Sequence, residues 1–362
     1  NPGTPNARRY TYDASGNPTS IEIASIPLTN QTIAYDSLNR ITSHLGLLGR
    51  TAYEYDSAGN RAAKTANSDR DTYTYAEGSN QLDHIQSQNG DHTAFTYDTS
   101  GNTTSAGNRT YTYDQYNRLV TVHDNQEPIA AYTYNGLNQR VTKTTSEGTT
   151  TYLYDMDGKL IAETDPANTA TQGQEYLYNG NIPIAQTNPQ TDTLHHIHTN
   201  YLGAVHQLTD PFATIAWEAL YTPFGQAIPN ASATTATPWR LPGQYHDHET
   251  GLHYNHHRYY DPTTGRYLTP DPIGLTGGPN RYTYANNNPM TRIDPQGLTD
   301  DFVKALTGQY YNNFLSSSLE VNLQRAEQFN KNNDRRIRDY KFWLDFTKKE
   351  ADILQNISSA LS

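Results

Sequence analysis

The chain has no cysteine, which excludes disulfides and thiolate metal ligands and leaves the redox compartment undecided. It has no hydrophobic run long enough for a transmembrane helix. Only 34% of its 362 residues are hydrophobic, and mean hydropathy is −0.84, low for a compact globule built on a thick aliphatic core. Lysine and arginine number 26 against 37 aspartates and glutamates, a net charge of −11. That balance argues against nucleic acid or an anionic membrane as a partner of the whole chain. The sequence opens at Asn1 with neither Met nor signal peptide, as a piece of a longer protein would, so targeting is not legible.

What the chain has in quantity is tyrosine: 29, against 8 phenylalanines. Disordered chains are poor in aromatics. Tyrosine buries a ring and keeps a hydroxyl to bond, so broad sheet surfaces covered by tyrosine are expected. The tyrosines recur in a repeated word: YTYDASGN at Tyr10, AYDSLNRIT at Ala34, YEYDSAGNR at Tyr53, FTYDTSGN at Phe95 and YTYDQYNRLV at Tyr111. YTYNGLNQRV at Tyr132, YLYDMDGKLIAE at Tyr152 and YLYNGN at Tyr176 continue it, and YTYAEGSNQLDHI at Tyr73 is a degenerate copy. The interval is loose, roughly 20 residues. Tyr-x-Tyr puts both rings on one face of a strand. Asp-x-x-Gly-Asn or Asp-x-x-Asn-Arg then supplies turn chemistry, with side chains that bond nearby backbone and a residue tolerant of φ > 0. Each unit is thus a β-hairpin, and hairpins must stack into a continuous sheet to be stable. A propeller or sandwich is the bland alternative, but a propeller blade needs about twice this period.

From 185 to 240 the repeat fades, although HHIHTNYLGAVHQLTD and IAWEALYTPFGQAIPN still read as paired strands. Residues 230–237 form a small-polar loop. The stretch from Arg258 to Leu298 holds three Asp-Pro pairs, at 261, 271 and 294. The last two sit in near-identical words, DPIGL and DPQGL. Beyond Leu298 the alphabet changes. No histidine remains, nine basic residues balance nine acidic ones, and Glu320, Glu327 and Glu350 are the only glutamates. Thr299 can cap a helix with Asp300 and Asp301 in its first turn, and Phe302, Val303 and Leu306 follow at helical spacing. Two or three amphipathic helices are predicted over 299–362, and the stretch DYKFWLDF, 339–346, is apolar enough to dock on a partner or to fill a small bundle.

The Tyr-Asp words resemble the RHS/YD-repeat proteins, which include the C component of Tc toxins and, more distantly, the teneurins. The run GQYHDHETGLHYNHHRYYDPTTGRYLTPDPIGLTGGPNRYTYANNNPMTRIDPQGL is very similar to the RHS repeat-associated core motif. The resemblance covers most of 1–298 and none of the tail. It implies a mainly β fold: YD-repeat hairpins winding into a spiral shell or cage wall, with a short α-helical C-terminal segment. It divides the chain into repeats at 1–184, a shell-closing and self-cleaving core at 185–298, and a variable toxin-like segment at 299–362. Such shells enclose their own C-terminal segment and cut the chain after the Leu of the final DPxGL, here between Leu298 and Thr299. The family further implies a bacterial toxin, secreted or delivered by an injection apparatus against competitors or hosts, with an immunity protein.

Cutting a peptide bond with two carboxylates needs one protonated and one ionised. Asp271 and Asp294, the aspartates of the paired words, match the family's pair. The following prolines fix the backbone, and Gly297 leaves room at the bond to be cut. Asp-Pro is also a common turn starter; Asp165, Asp210 and Asp261 are expected to be only that. Arg258 and Arg266 are candidates to position a carboxylate or stabilise an oxyanion, with ordinary sheet pairing as the alternative. His246, His248, His253, His256 and His257 cluster, as do His195, His196 and His198, but their spacing matches no metal motif, and neither a metal nor another cofactor is expected. A rival reading keeps the repeats and drops the cut: an adhesion protein whose exposed tyrosines bind carbohydrate or protein.

Overall fold

The structure is a computed structural model that describes residues 8–23, 30–164, 173–188, 191–298 and 300–302. Residues 1–176 and 185–303 cluster as one compact unit. Of the second unit only 177–184 are described, the ends of two strands and the turn between them.

The repeats form long antiparallel sheet in which each strand pairs with the next in sequence. The hairpin Gly49–Tyr55 with Arg61–Ala66 shows why. Tyr53 is buried, Glu54 exposed and Tyr55 half-buried, as period-2 alternation requires. The turn between them closes on Asp56, whose carboxylate accepts the Asn60 backbone N–H at 2.8 Å and the Asn60 side-chain N–H at 2.9 Å. Gly59 takes φ +78° there, a conformation that costs glycine nothing. The same turn recurs at Asp13, Asp36, Asp98, Asp114 and Asp155. In the degenerate copy Ala76 stands in the aspartate's place, and the Ser79 hydroxyl accepts the Gln81 N–H instead. Asp210 makes a turn of the same kind, and residues 230–237 are a loop.

Tyrosine outnumbers phenylalanine for a reason visible along the whole sheet. The second tyrosine of a unit reaches across to donate its hydroxyl to a backbone carbonyl of the preceding hairpin. Tyr35 reaches Pro18, Tyr55 reaches Ile41, Tyr75 reaches Arg61, Tyr134 reaches Leu119 and Tyr154 reaches Arg140. Each ring thus buries apolar area while its hydroxyl completes a hydrogen bond that phenylalanine would forfeit.

The core motif packs on this wall as a separate four-stranded sheet, Tyr245–His246, His253–Asn255, Arg258–Asp261 and Arg266–Tyr267. It is held by asparagines at the ends of the wall turns. Asn60 accepts from Asn280 at 2.6 Å, Asn288 donates to Asn17 at 2.9 Å, and Tyr282 donates to the Gly101 carbonyl at 2.8 Å. Deeper in, Asp247 is fully buried between Arg140 and Lys143 of one wall strand. Tyrosine rings surround the Arg140 guanidinium, Tyr152 and Tyr254 each at 4.6 Å.

After Leu298 the chain does not begin the helix expected from Thr299. Asp301–Phe302 is a short strand paired with Arg292–Ile293. Asp300 bonds Arg292 and accepts the Asn286 side-chain N–H at 3.0 Å. A carboxylate held by a neighbouring arginine and asparagine has no call to act at a helix start, and the backbone pairs with the core motif instead. The helices expected further along, with Val303, Leu306 and the stretch 339–346, lie outside the described residues.

Candidate functional site

The register of the small sheet brings three side chains to one place. Asn255 pairs opposite Arg258, and Tyr260 pairs opposite Tyr267. Arg258 and Tyr260 share a face by alternation, so Asn255, Arg258 and Tyr267 look the same way. The Arg258 guanidinium lies 3.6 Å from the centre of the Tyr267 ring. The tight reversal at His256, with φ +54°, lets Arg258 start its strand directly after Asn255 ends the previous one.

Both aspartates of the paired words meet that face. Asp294 Oδ2 accepts from Tyr267 Oη at 2.8 Å and from Arg258 Nη2 at 3.0 Å, while its Oδ1 accepts the Leu298 N–H at 2.9 Å. Its own backbone carbonyl accepts from Asn255 Nδ2 at 2.8 Å. Asp271 Oδ2 lies 2.9 Å from the same Arg258 nitrogen, and its Oδ1 accepts the Ile273 N–H at 3.0 Å. Arg258 Nε donates to the Gly297 carbonyl at 2.6 Å, so one guanidinium holds both carboxylates and the backbone one residue before Leu298. Gly297 has φ +68°, and a Cβ there would stand 2.5 Å from the Asn255 carbonyl oxygen. Neither the backbone conformation nor the space admits another residue.

All three charged groups are buried: Arg258 is 3% exposed, Asp271 5% and Asp294 2%. One buried guanidinium neutralises one carboxylate. Burial raises the carboxyl of each aspartate above its ordinary value, and the attraction of Arg258 only partly offsets it. A site with two buried carboxylates and one cation is electrically neutral when the pair holds one proton. Asp294 has three donors on its oxygens, the pattern that favours an ionised carboxylate; Asp271 has two and is the better seat for the proton. A cavity of about 260 Å³ opens onto Asp271 and Arg258, with His256, His257 and Arg281 also on its wall.

Of the expected site residues, the structure brings together Asp271, Asp294, Arg258 and Leu298; Thr299 lies outside the described residues. Arg266 does not join them. It is buried against the wall, bonds Asn60 and the Asn80 carbonyl, and lies over the rings of Tyr75 and Tyr282. Asp261 makes the turn after its strand, its Oδ1 accepting the Thr263 N–H at 2.8 Å. His253 is buried on Gln244, at 2.7 Å. Sequence reasoning missed Tyr267 and Asn255. No spacing rule singles out one tyrosine among 29, and only the register across two turns shows it under Arg258.

A sequence profile of the teneurin YD-shell family matches residues 7–290. The chain is 31% identical over 338 residues to double-stranded DNA deaminase toxin A of Burkholderia cenocepacia, covering 82% of this chain and 22% of that protein. It is 39% identical over 138 residues to toxin protein Tse5 of Pseudomonas aeruginosa, covering 38% of this chain and 10% of that protein. The chain therefore spans about a fifth and a tenth of these two relatives. Among solved structures, the crystal structure of TcdB2-TccC3-Cdc42 superposes with a TM-score of 0.58 at 23% identity, over 80% of this chain and 17% of that one. That likeness bears on the fold alone. With the family profile matched across the repeats and the core motif alike, the chain belongs to the teneurin YD-shell family of RHS/YD-repeat proteins.

Proposed function

We propose that this chain is part of an RHS-repeat toxin whose β-shell encloses the segment beyond residue 298 and releases it by cutting itself after Leu298. One observation carries the reading. A single arginine holds both aspartates of the paired words, while Asp294 grips the Leu298 N–H and Arg258 the Gly297 carbonyl. A carboxyl pair held against the backbone it would cut is the arrangement hydrolysis requires. In the reaction, water adds to the Leu298 carbonyl carbon as ionised Asp294 takes one of its protons. Protonated Asp271 gives its proton to the carbonyl oxygen. The tetrahedral adduct then collapses: Asp294 returns its proton to the Thr299 nitrogen, the C–N bond breaks, and a hydroxyl of the adduct gives its proton back to Asp271. One water is consumed, the pair again holds one proton, and the products are the Leu298 acid and the Thr299 amine, which settle as carboxylate and ammonium.

The relatives supply the biological setting. Two are toxins by name, one of them a DNA deaminase. A shell carrying an effector, delivered outside the producing bacterium by a secretion or injection apparatus and matched by an immunity protein, suits this chain equally. The tail's own activity is a separate matter, because it has neither histidine nor cysteine. Intact-mass measurement of the purified chain tests the cut. Fragments corresponding to 1–298 and 299–362 are expected, and Asp271→Asn and Asp294→Asn should each leave the chain whole. A cut elsewhere, or one that survives both changes, overturns the reading.

A further inference from the structure

We propose that Gly277 is a positioning residue of the self-cleaving site: its missing side chain lets the 3₁₀ turn Gly274–Gly277 close over Asp271 and hold its carboxyl against the Leu298 carbonyl. The proposal rests on the self-cleavage reading above and deepens it. A Cβ placed on Gly277 would lie 2.8 Å from Asp271 Cγ and 3.2 Å from the Leu298 carbonyl oxygen. Asp271 Cγ and that oxygen are therefore no more than 6.0 Å apart. Real Cβ atoms do not approach this closely, so an added methyl must displace the carboxyl, the bond to be cut, or the turn that carries it, and any of these opens the contact. The carboxyl and the bond are both held. Asp271 is fixed by Arg258 and by the Ile273 N–H, and Leu298 by Asp294. The φ of Gly277 is not in the region reserved for glycine, so space alone dictates the residue. Gly274, in the same turn, is the opposite case. It has φ +66° and no atom within 4 Å of its would-be Cβ.

That contrast makes the test. Gly277→Ala and Gly274→Ala are compared with wild type in the full 362-residue chain, following the split by intact mass over time from synthesis in a cell-free system at a series of pH values. Melting temperature is read on each variant in an Asp294→Asn background, where every chain stays whole. Gly277→Ala is expected to slow the cut at least about tenfold, the effect of misplacing a reacting group by a fraction of an ångström. It should also move the alkaline limb of the pH profile, which reports loss of the proton the two carboxyls share. The charged and titratable groups around that carboxyl are Arg258 and Asp294, with Arg281, His256 and His257 on the wall of the same cavity. All are unchanged in the variant, so a moved limb reports the carboxyl itself. Gly274→Ala should strain the turn and lower the melting temperature without moving the limb. A Gly277→Ala chain that cuts at the wild-type rate with an unmoved profile overturns the proposal. So does an equal loss in both variants that follows melting temperature. A wild-type chain that never splits removes the self-cleavage reading and this inference with it, a result distinguishable from either.

Discussion

Asp271 and Asp294, twenty-three positions apart in the chain, place their Oδ2 atoms 2.9 and 3.0 Å from one nitrogen of Arg258. The arginine is thus the third member of the site as well as its anchor, since its Nε also holds the Gly297 carbonyl. Two consequences of this arrangement are open to measurement, and a third prediction concerns the buried Asp247.

Arg258→Lys should keep a positive charge but lose the fork that reaches both carboxylates and the backbone at once. The cut should slow by at least about a hundredfold, which corresponds to about 2.7 kcal/mol in the barrier. Arg258→Met should also strip the buried carboxylates of their cation and lower stability by about 3–5 kcal/mol. Time-resolved intact mass and urea unfolding of uncut chains check the two effects separately.

The rate should show a bell against pH, because the reaction needs one proton on the pair and one vacancy. Burial raises both carboxyls against the pull of Arg258, so the bell should lie at higher pH than two free aspartates would give. The stability sign runs the same way. The folded chain holds its proton more tightly than the unfolded one, so stability falls as pH rises through the folded value. Splitting rates across a pH series, with melting curves of the wild-type chain over the same range, test both statements.

Asp247→Ala should cost about 3–5 kcal/mol, because it leaves Arg140 buried without its carboxylate and Lys143 with Glu249 alone. Burial would raise the Asp247 carboxyl, but Arg140 and Lys143 hold it below its ordinary value. Its contribution is therefore complete above the unfolded value and is lost as pH falls through the folded one. The substitution should lower the urea midpoint at neutral pH and flatten its fall in acid. An unchanged midpoint would show that the wall and the core motif are not joined there.

Local pattern was enough for the hairpins and for Asp210 and Asp261 as turn residues, because Tyr-x-Tyr alternation and Asp-x-x-Gly-Asn turns are settled by neighbours in the chain. The start of the tail was not. Thr299, Asp300 and Asp301 carry every local mark of a helix start, yet Asp301–Phe302 pairs with Arg292–Ile293, a contact that no window over the tail contains.

By itself the sequence determined the repeating unit, the choice of tyrosine, and the paired DPxGL words at Asp271 and Asp294. The hairpin unit follows from contacts between chain neighbours, the tyrosine hydroxyls reach only to the preceding hairpin, and composition, period and the repeated word express all three directly. Only the tertiary structure decided which arginine serves the pair. Arg258 and Arg266 differ by eight positions and are alike in local surroundings. The register places Arg258 beside Asn255 and over Tyr267, and turns Arg266 to Asn60 and Asn80 of the wall. The asparagine contacts between wall turns and core motif were equally out of reach, since their partners lie more than 200 residues apart. Long-range register is the sum of many weak pairings, and no single residue announces it.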